Sequence, residues 1–201
     1  DGFKVILCCK WFLFWYFIMS KLSKLGVVHS GRSILSISGR DRVSFLHNLT
    51  TNNIRSLVSD QQLDSFHTPK LQLNAILDSR GRVLTDVFIH THSPTEFFIE
   101  SSKNTLNSLT KYFQMHKLRS DITMTDYSNK FHAASFVSAS ESIQSQALNE
   151  HFKSQSCIHY ADPRLPSTSE RFLLTSDQLD EFNSVSKSFG NQVASLSENK
   201  E

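Results

Sequence analysis

Asp86 is the acid of this chain best placed to do chemistry. It lies in Val83-Leu-Thr-Asp-Val-Phe-Ile-His90, an apolar run that reads as a strand. A carboxylate in such a run must accept hydrogen bonds, or its pKa rises. Two readings are open. Asp86 holds a ligand rich in N–H groups, such as a pterin or an amide, or it pairs with Asn74 or a nearby Arg as a structural contact. Arg80 and Arg82 flank Gly81 and either hold an anionic tail or form a solvated turn. His90-Thr-His92 can place two imidazoles on one strand face. With no Cys or third His nearby, that is a surface pair at a strand end and no metal site is expected. Cys157 and His159 share a strand face, either as a thiol–base pair or around a small buried thiol. The chain has no phosphate loop, no Gly-x-Ser-x-Gly elbow and no paired metal carboxylates, so no catalytic residue is assigned.

These residues need a hairpin to hold them. Asp78-Ser-Arg-Gly81 has Asp first and Gly fourth, the pattern of a type I turn with a bulge. Closing Asp78 on Arg82 pairs Leu77 with Val83, Ala75 with Thr85, Leu73 with Val87 and Leu71 with Ile89 on one apolar face. The other face then carries Asn74 opposite Asp86. Upstream, folding starts near Ser33 with a strand to Ser38, then a helix over 41–49 and a polar connection to Pro69. Downstream, Thr95–Glu100 is a strand, and Ser101 or Ser102 caps a helix to about Lys117. Strands follow over 121–126 and 131–137, a helix over 140–152, and strands over 157–160 and 171–175. Ser176 caps a last helix ending near Gly190. This order predicts an α+β fold with ferredoxin-like layering of antiparallel sheets and helices.

The chain has 201 residues with a net charge of +2, which makes no electrostatic case for nucleic acid. Its three cysteines, with Cys8 and Cys9 adjacent, form neither a disulfide framework nor a zinc pattern. The apolar run Trp11–Met19 is shorter than the ~20 residues a membrane span needs, so no stable span is expected. From Gly2 to Arg40 there is no acid but six Lys or Arg, which suits an organelle transit segment. A start at Met19, with the residues before it an artefact of gene prediction, and a secretory signal or anchor are the other readings.

Three pieces resemble one family. Arg32–Asn52 resembles the opening strand, Gly-x-Asp and Phe-Leu-x-x-Leu-x-Thr helix of the folate-binding YgfZ/glycine-cleavage T-protein family. Leu73–Val87 resembles its hairpin of the form Leu-x-x-x-Gly-Arg-x-x-x-Asp. Ile158-His-Tyr-Ala-Asp-Pro-Arg164, followed by Arg171-Phe-Leu-Leu174, resembles the mitochondrial Iba-type branch, whose members are assembly factors for [4Fe–4S] proteins. The resemblance implies an aminomethyltransferase folate-binding fold over 31–190, after a transit segment or artefact at 1–30 and before a polar tail at 191–201. It implies tetrahydrofolate as a possible cofactor, A-type iron–sulfur carrier proteins as partners and the mitochondrial matrix as location. Asp86 matches the folate-contacting acid, with Asn74 and Arg82 as its neighbours. The family's Lys-Gly-Cys-Tyr-x-Gly-Gln-Glu segment is not among these residues, so Cys8, Cys9 and Cys157 inherit no reactive role and turnover is left open. The domain is expected to be incomplete. An aminomethyltransferase-like folate enzyme of glycine cleavage is the alternative function.

Overall fold

The computed structural model describes residues 24–58, 71–138, 157–188 and 193–195. Its strands are β1 (Lys24–Val28), β2 (Arg32–Ser38), β3 (Leu71–Leu77), β4 (Val83–Ser93), β5 (Glu96–Ser102), β6 (Thr123–Asp126), β7 (His132–Ser138), β8 (Ile158–Ala161), β9 (Ser169–Leu174) and β10 (Val193–Ser195). The helices are α1 (Arg42–His47), α2 (Leu106–Lys117) and α3 (Ser176–Ser188), with a short 3-10 turn at Ile54–Leu57. One sheet has the order β3-β4-β5-β2-β6, the other β10-β1-β7-β9-β8. Pairing is antiparallel except between β1 and β10.

Both sheets are covered on both faces, which gives four layers. β2 shows why: Ser33 through Ile37 are all buried, with no alternation. Leu35 and Ile37 face a core with Phe45 and Leu46 of α1, Ile54 and Leu57 of the 3-10 turn, and Leu109 and Phe113 of α2. Ile34, one step along, turns the other way and packs with Phe98 of β5 and with Ala133 and Leu173 of the second sheet. The second sheet's outer face, with Ala134, Phe136, Phe172 and Leu174, packs on Phe182 of α3. The α+β layering and the antiparallel sheets are therefore as the sequence predicts.

The hairpin turn also forms as expected. Asp78 N donates to the Arg82 carbonyl at 2.8 Å, Gly81 has φ +77°, and Asp78 Oδ1 accepts from the backbone N of Arg80 and Arg82. The register beyond it differs. Leu77 pairs with Val83, but Ile76 pairs with Thr85, so Leu84 is an extra residue on β4. Every later pair is shifted by one: Ala75 lies opposite Asp86 and Asn74 opposite Val87. The apolar pattern could not fix this register, because polar Asn74 is buried opposite Val87 while Leu84 and Asp86 are exposed, so polarity does not mark the buried face here. Bonds from the segment after α1 hold β3 instead: Leu77 N donates to Leu49 O, Thr51 N to Ala75 O and Asn52 N to Asn74 Oδ1.

Several boundaries also move. The fold extends ahead of Ser33 to include β1, and part of the expected polar tail is β10, paired to β1. The polar connection after α1 holds the 3-10 turn, capped by Asn53 Oδ1 accepting from Arg55 N. Ser101 and Ser102 belong to β5, and α2 starts one turn later behind Thr105. The cap of α3 is Thr175, not Ser176: Gln178 N donates to Thr175 Oγ1 and Thr175 N donates back to Gln178 Oε1, a reciprocal capping box. The helix expected over 140–152 lies outside the described residues.

Two glycines distinguish backbone freedom from close contact. Gly39, at φ +116° after β2, sits so close to the backbone of Asp121 and Ile122 that a Cβ would collide with both. Gly81 has a positive φ but nothing near its Cβ position. Gly81→Ala should therefore cost about 1–2 kcal/mol for the left-handed backbone alone. Gly39→Ala adds the steric conflict and should cost on the order of 3 kcal/mol. Denaturant unfolding of the two variants checks this, and equal losses would contradict it.

Candidate functional site

The faces of β4 decide what Asp86 can meet. Asp86, Phe88 and His90 point to the second sheet, while Thr85, Val87 and Ile89 point to the helices. Phe88 pairs with Glu100 of β5, which therefore also enters the space between the sheets. Glu100 is wholly buried. Arg171 of β9, on the facing sheet and equally buried, donates Nε to Glu100 Oε2 at 2.7 Å and Nη2 to Oε1. Arg32 of β2 donates Nε to the same Oε1 at 2.9 Å, and His90 Nε2 lies 3.3 Å from Oε2. Burial alone would raise the Glu100 pKa, but the charge and hydrogen bonds of Arg171 hold it well below the usual carboxylate range. Burial lowers the His90 pKa, against the pull of its bond to Glu100.

Charges of alternating sign extend from this pair in both directions. Arg171 Nη1 lies 3.5 Å from Asp162 Oδ2, and Arg164 grips Asp162 with Nε at 2.9 Å and Nη2 at 2.6 Å. Burial pushes the Asp162 pKa up, but its bonds from Arg164 outweigh that and lower it. In the other direction, Arg32 Nη1 and Nη2 lie 3.4 and 3.5 Å from Asp86 Oδ2. The order is Arg164, Asp162, Arg171, Glu100, Arg32, Asp86, with no net charge. All three guanidinium groups lie over the buried Phe88 ring, with Arg171 nearest at 4.1 Å from its centre. The array is buried at its middle and open at its ends: the Asp86 side chain is 61% exposed and Arg164 49%.

The expected site residues separate on this geometry. Asp86 is at the mouth of the array. Asn74 is buried on the opposite face of the sheet, where Nδ2 donates to Gln72 Oε1 at 3.0 Å. Arg82 is exposed in the turn, four residues from Asp86. The structural contact foreseen for Asp86 is to Arg32, not to Asn74. His90 and His92 are no surface pair: His90 is buried on Glu100, while His92 stacks on Phe98 at 4.2 Å. No group of three metal-ligating side chains occurs among the described residues. Cys157 does not meet His159, which stacks on Phe172. Burial pushes the Cys157 thiol up to about 12, which keeps it protonated and inert.

Sequence reasoning missed Glu100, Arg171 and His90 as partners. The signal was present for Glu100, an acid two residues after Phe98 in an apolar strand, which is the pattern that drew attention to Asp86. Arg171 stood out only as part of the family-like element after Asp-Pro-Arg.

No protein-family model matches the chain. It is 30% identical over 153 residues to the "Iron-sulfur cluster assembly factor IBA57 homolog, mitochondrial" of Mycosarcoma maydis, covering 74% of this chain and 36% of the relative. It is 30% identical over 182 residues to the protein of the same name from Coccidioides immitis, covering 83% of this chain and 39% of that protein. The chain thus spans well under half the length of these relatives. Among solved structures it resembles the glycine cleavage system aminomethyltransferase T of Bartonella henselae, with a TM-score of 0.64, 10% identity and coverage of 86% of this chain and 48% of that one. That likeness establishes the aminomethyltransferase fold.

Two predictions follow from the array. Arg171→Met leaves Glu100 buried against fewer donors and should destabilise the chain by about 3–5 kcal/mol in denaturant unfolding. The second concerns His29, whose Nε2 lies 2.9 Å from Ser135 Oγ. Burial, then the charge of Arg171, lowers its pKa from 6.5 to about 4. Below pH 6.5 the unfolded chain takes up a proton that the folded chain refuses until about pH 4, so stability falls as pH falls across that window. His29→Gln should flatten this decline, and an unchanged slope between pH 6.5 and 4 would contradict the assignment.

Proposed function

We propose that this chain, a homologue of the mitochondrial IBA57-type iron–sulfur cluster assembly factors with the aminomethyltransferase fold, serves the maturation of mitochondrial [4Fe–4S] proteins and binds tetrahydrofolate at Asp86. The observation that carries the first half is 30% identity across 74% of the chain to a protein named as such a factor. The aminomethyltransferase likeness is one of fold at 10% identity, so it gives glycine cleavage chemistry no comparable support. In this reading the protein works in the matrix, carried there by a transit segment, with A-type iron–sulfur carriers as partners.

The donor set at Asp86 fits a reduced pterin. Asp86 is exposed and on the inter-sheet face, and Arg32 reaches only one of its carboxylate oxygens, at the long end of hydrogen bonding. Oδ1 is left to accept from an N–H edge such as a pterin presents. Phe88 and the guanidinium groups of Arg32 and Arg164 shape the ground beside it. Tetrahydrofolate, when bound, would supply a one-carbon-carrying pterin. Asp86 orients its ring, while Asn74 and Arg82 lie outside that arrangement.

Loss of the gene should lower the activity of mitochondrial [4Fe–4S] enzymes while [2Fe–2S] enzymes keep theirs; unaffected [4Fe–4S] enzymes would refute the assembly role. For the site, Asp86→Ala should abolish tetrahydrofolate binding measured by calorimetry and leave the far-ultraviolet circular dichroism unchanged. Wild-type affinity in that variant would refute the site.

A further inference from the structure

Among the described residues, Asp86 is attached to the interior through Arg32. Arg32, again among the described residues, shares its guanidinium between two carboxylates: Nε donates to Glu100 Oε1 at 2.9 Å, Nη2 to the Glu100 carbonyl at 3.3 Å, and both Nη atoms lie within 3.5 Å of Asp86 Oδ2. The contacts to Glu100 are the short ones. Glu100 itself is fixed by Arg171 on the facing sheet and by His90. Neither Glu100 nor His90 is exposed, so neither can touch a ligand at the mouth.

We propose that Glu100 is a positioning residue for the ligand carboxylate Asp86, acting through Arg32. This rests on the tetrahydrofolate reading of Asp86. A planar guanidinium presents its donors in a fixed fork. With Nε and one Nη edge committed to Glu100, the remaining edge is aimed at Asp86 from a set direction. It orients the carboxylate by one oxygen and leaves the other to the ligand. Without Glu100, Arg32 swings fully onto Asp86 as a two-pronged pair, and the ligand's N–H groups must compete with it. A lysine at position 32 keeps the charge but has no fork, so it cannot serve Glu100 and Asp86 from fixed directions.

The test uses the full chain with tetrahydrofolate as probe, in wild type, Asp86→Ala, Glu100→Gln and Arg32→Lys. Thermal unfolding is recorded for each protein. Glu100→Gln and Arg32→Lys should each weaken binding by about tenfold or more. Arg32→Lys leaves Glu100 with Arg171 and His90, so it keeps the test open should Glu100→Gln fail to fold. A second readout is the carbon-13 resonance of the Asp86 carboxyl group. It should move in both variants even without ligand, although Glu100 makes no contact with Asp86. A purely structural role for Glu100 would leave that resonance fixed in folded protein. If Asp86→Ala abolishes binding while Arg32→Lys keeps wild-type affinity and an unmoved resonance, the positioning role is overturned and the folate site stands. If wild type does not bind tetrahydrofolate, or Asp86→Ala binds it normally, both are overturned.

Discussion

The contact between Glu100 and Arg171 joins strands of different sheets at a place with no exposure to water. Moving two charges into such a layer costs several kcal/mol per ion unless their remaining donors and acceptors are met. Here both oxygens of Glu100 are engaged, by Arg171, Arg32 and His90, while Arg171 Nη1 makes no hydrogen bond among the described residues and is met only by the charge of Asp162, 3.5 Å away. The two sheets must therefore approach in a single orientation: a slide between them would strand a buried charge. The apolar half of the interlayer, with Ile34, Phe98, Ala133 and Leu173, would by itself tolerate many alignments. The ion pair selects among them.

The same constraint reaches the surface. Because the array alternates in sign and ends in half-exposed groups, a buried requirement for neutrality becomes an ordered carboxylate at one end and a fixed guanidinium at the other. Asp162 and Arg164 come from the turn before β9, while Arg32 and Asp86 come from strands of the first sheet. The mouth is thus assembled from both layers, and its geometry depends on how they dock.

Much of this was legible in the sequence, for identifiable reasons. Asp78 and Gly81 specified a local turn, and local bonds decided it. Asp86 stood out because a carboxylate in an apolar strand needs a partner, and it has Arg32. The register beyond the turn was not legible. Leu71, Leu73, Val87 and Ile89 are all apolar, yet it is the side of β3 carrying Asn74 and Ile76 that is buried against Val87, so the polar pattern pointed to the wrong alignment. The bulge at Leu84 therefore moved Asn74 to the opposite face, where Asn52 meets it from a segment more than twenty residues upstream. Glu100 and Arg171 are 71 residues apart and meet only once the layers form. Nothing local in either strand names the other. The cap of α3 shows the same limit on a small scale. Ser176 and Thr175 are both capping residues by type, and the position of Gln178 settles between them.

A titration of isotope-labelled protein with tetrahydrofolate, followed residue by residue by NMR, tests the account most directly. Perturbations should concentrate on Asp86 and on the guanidinium groups of Arg32 and Arg164. They should weaken through Glu100 and Arg171 and spare Asn74, Asn52 and the hairpin tip at Arg82. Perturbations centred on Asn74 or the tip, or none at saturating ligand, would contradict it.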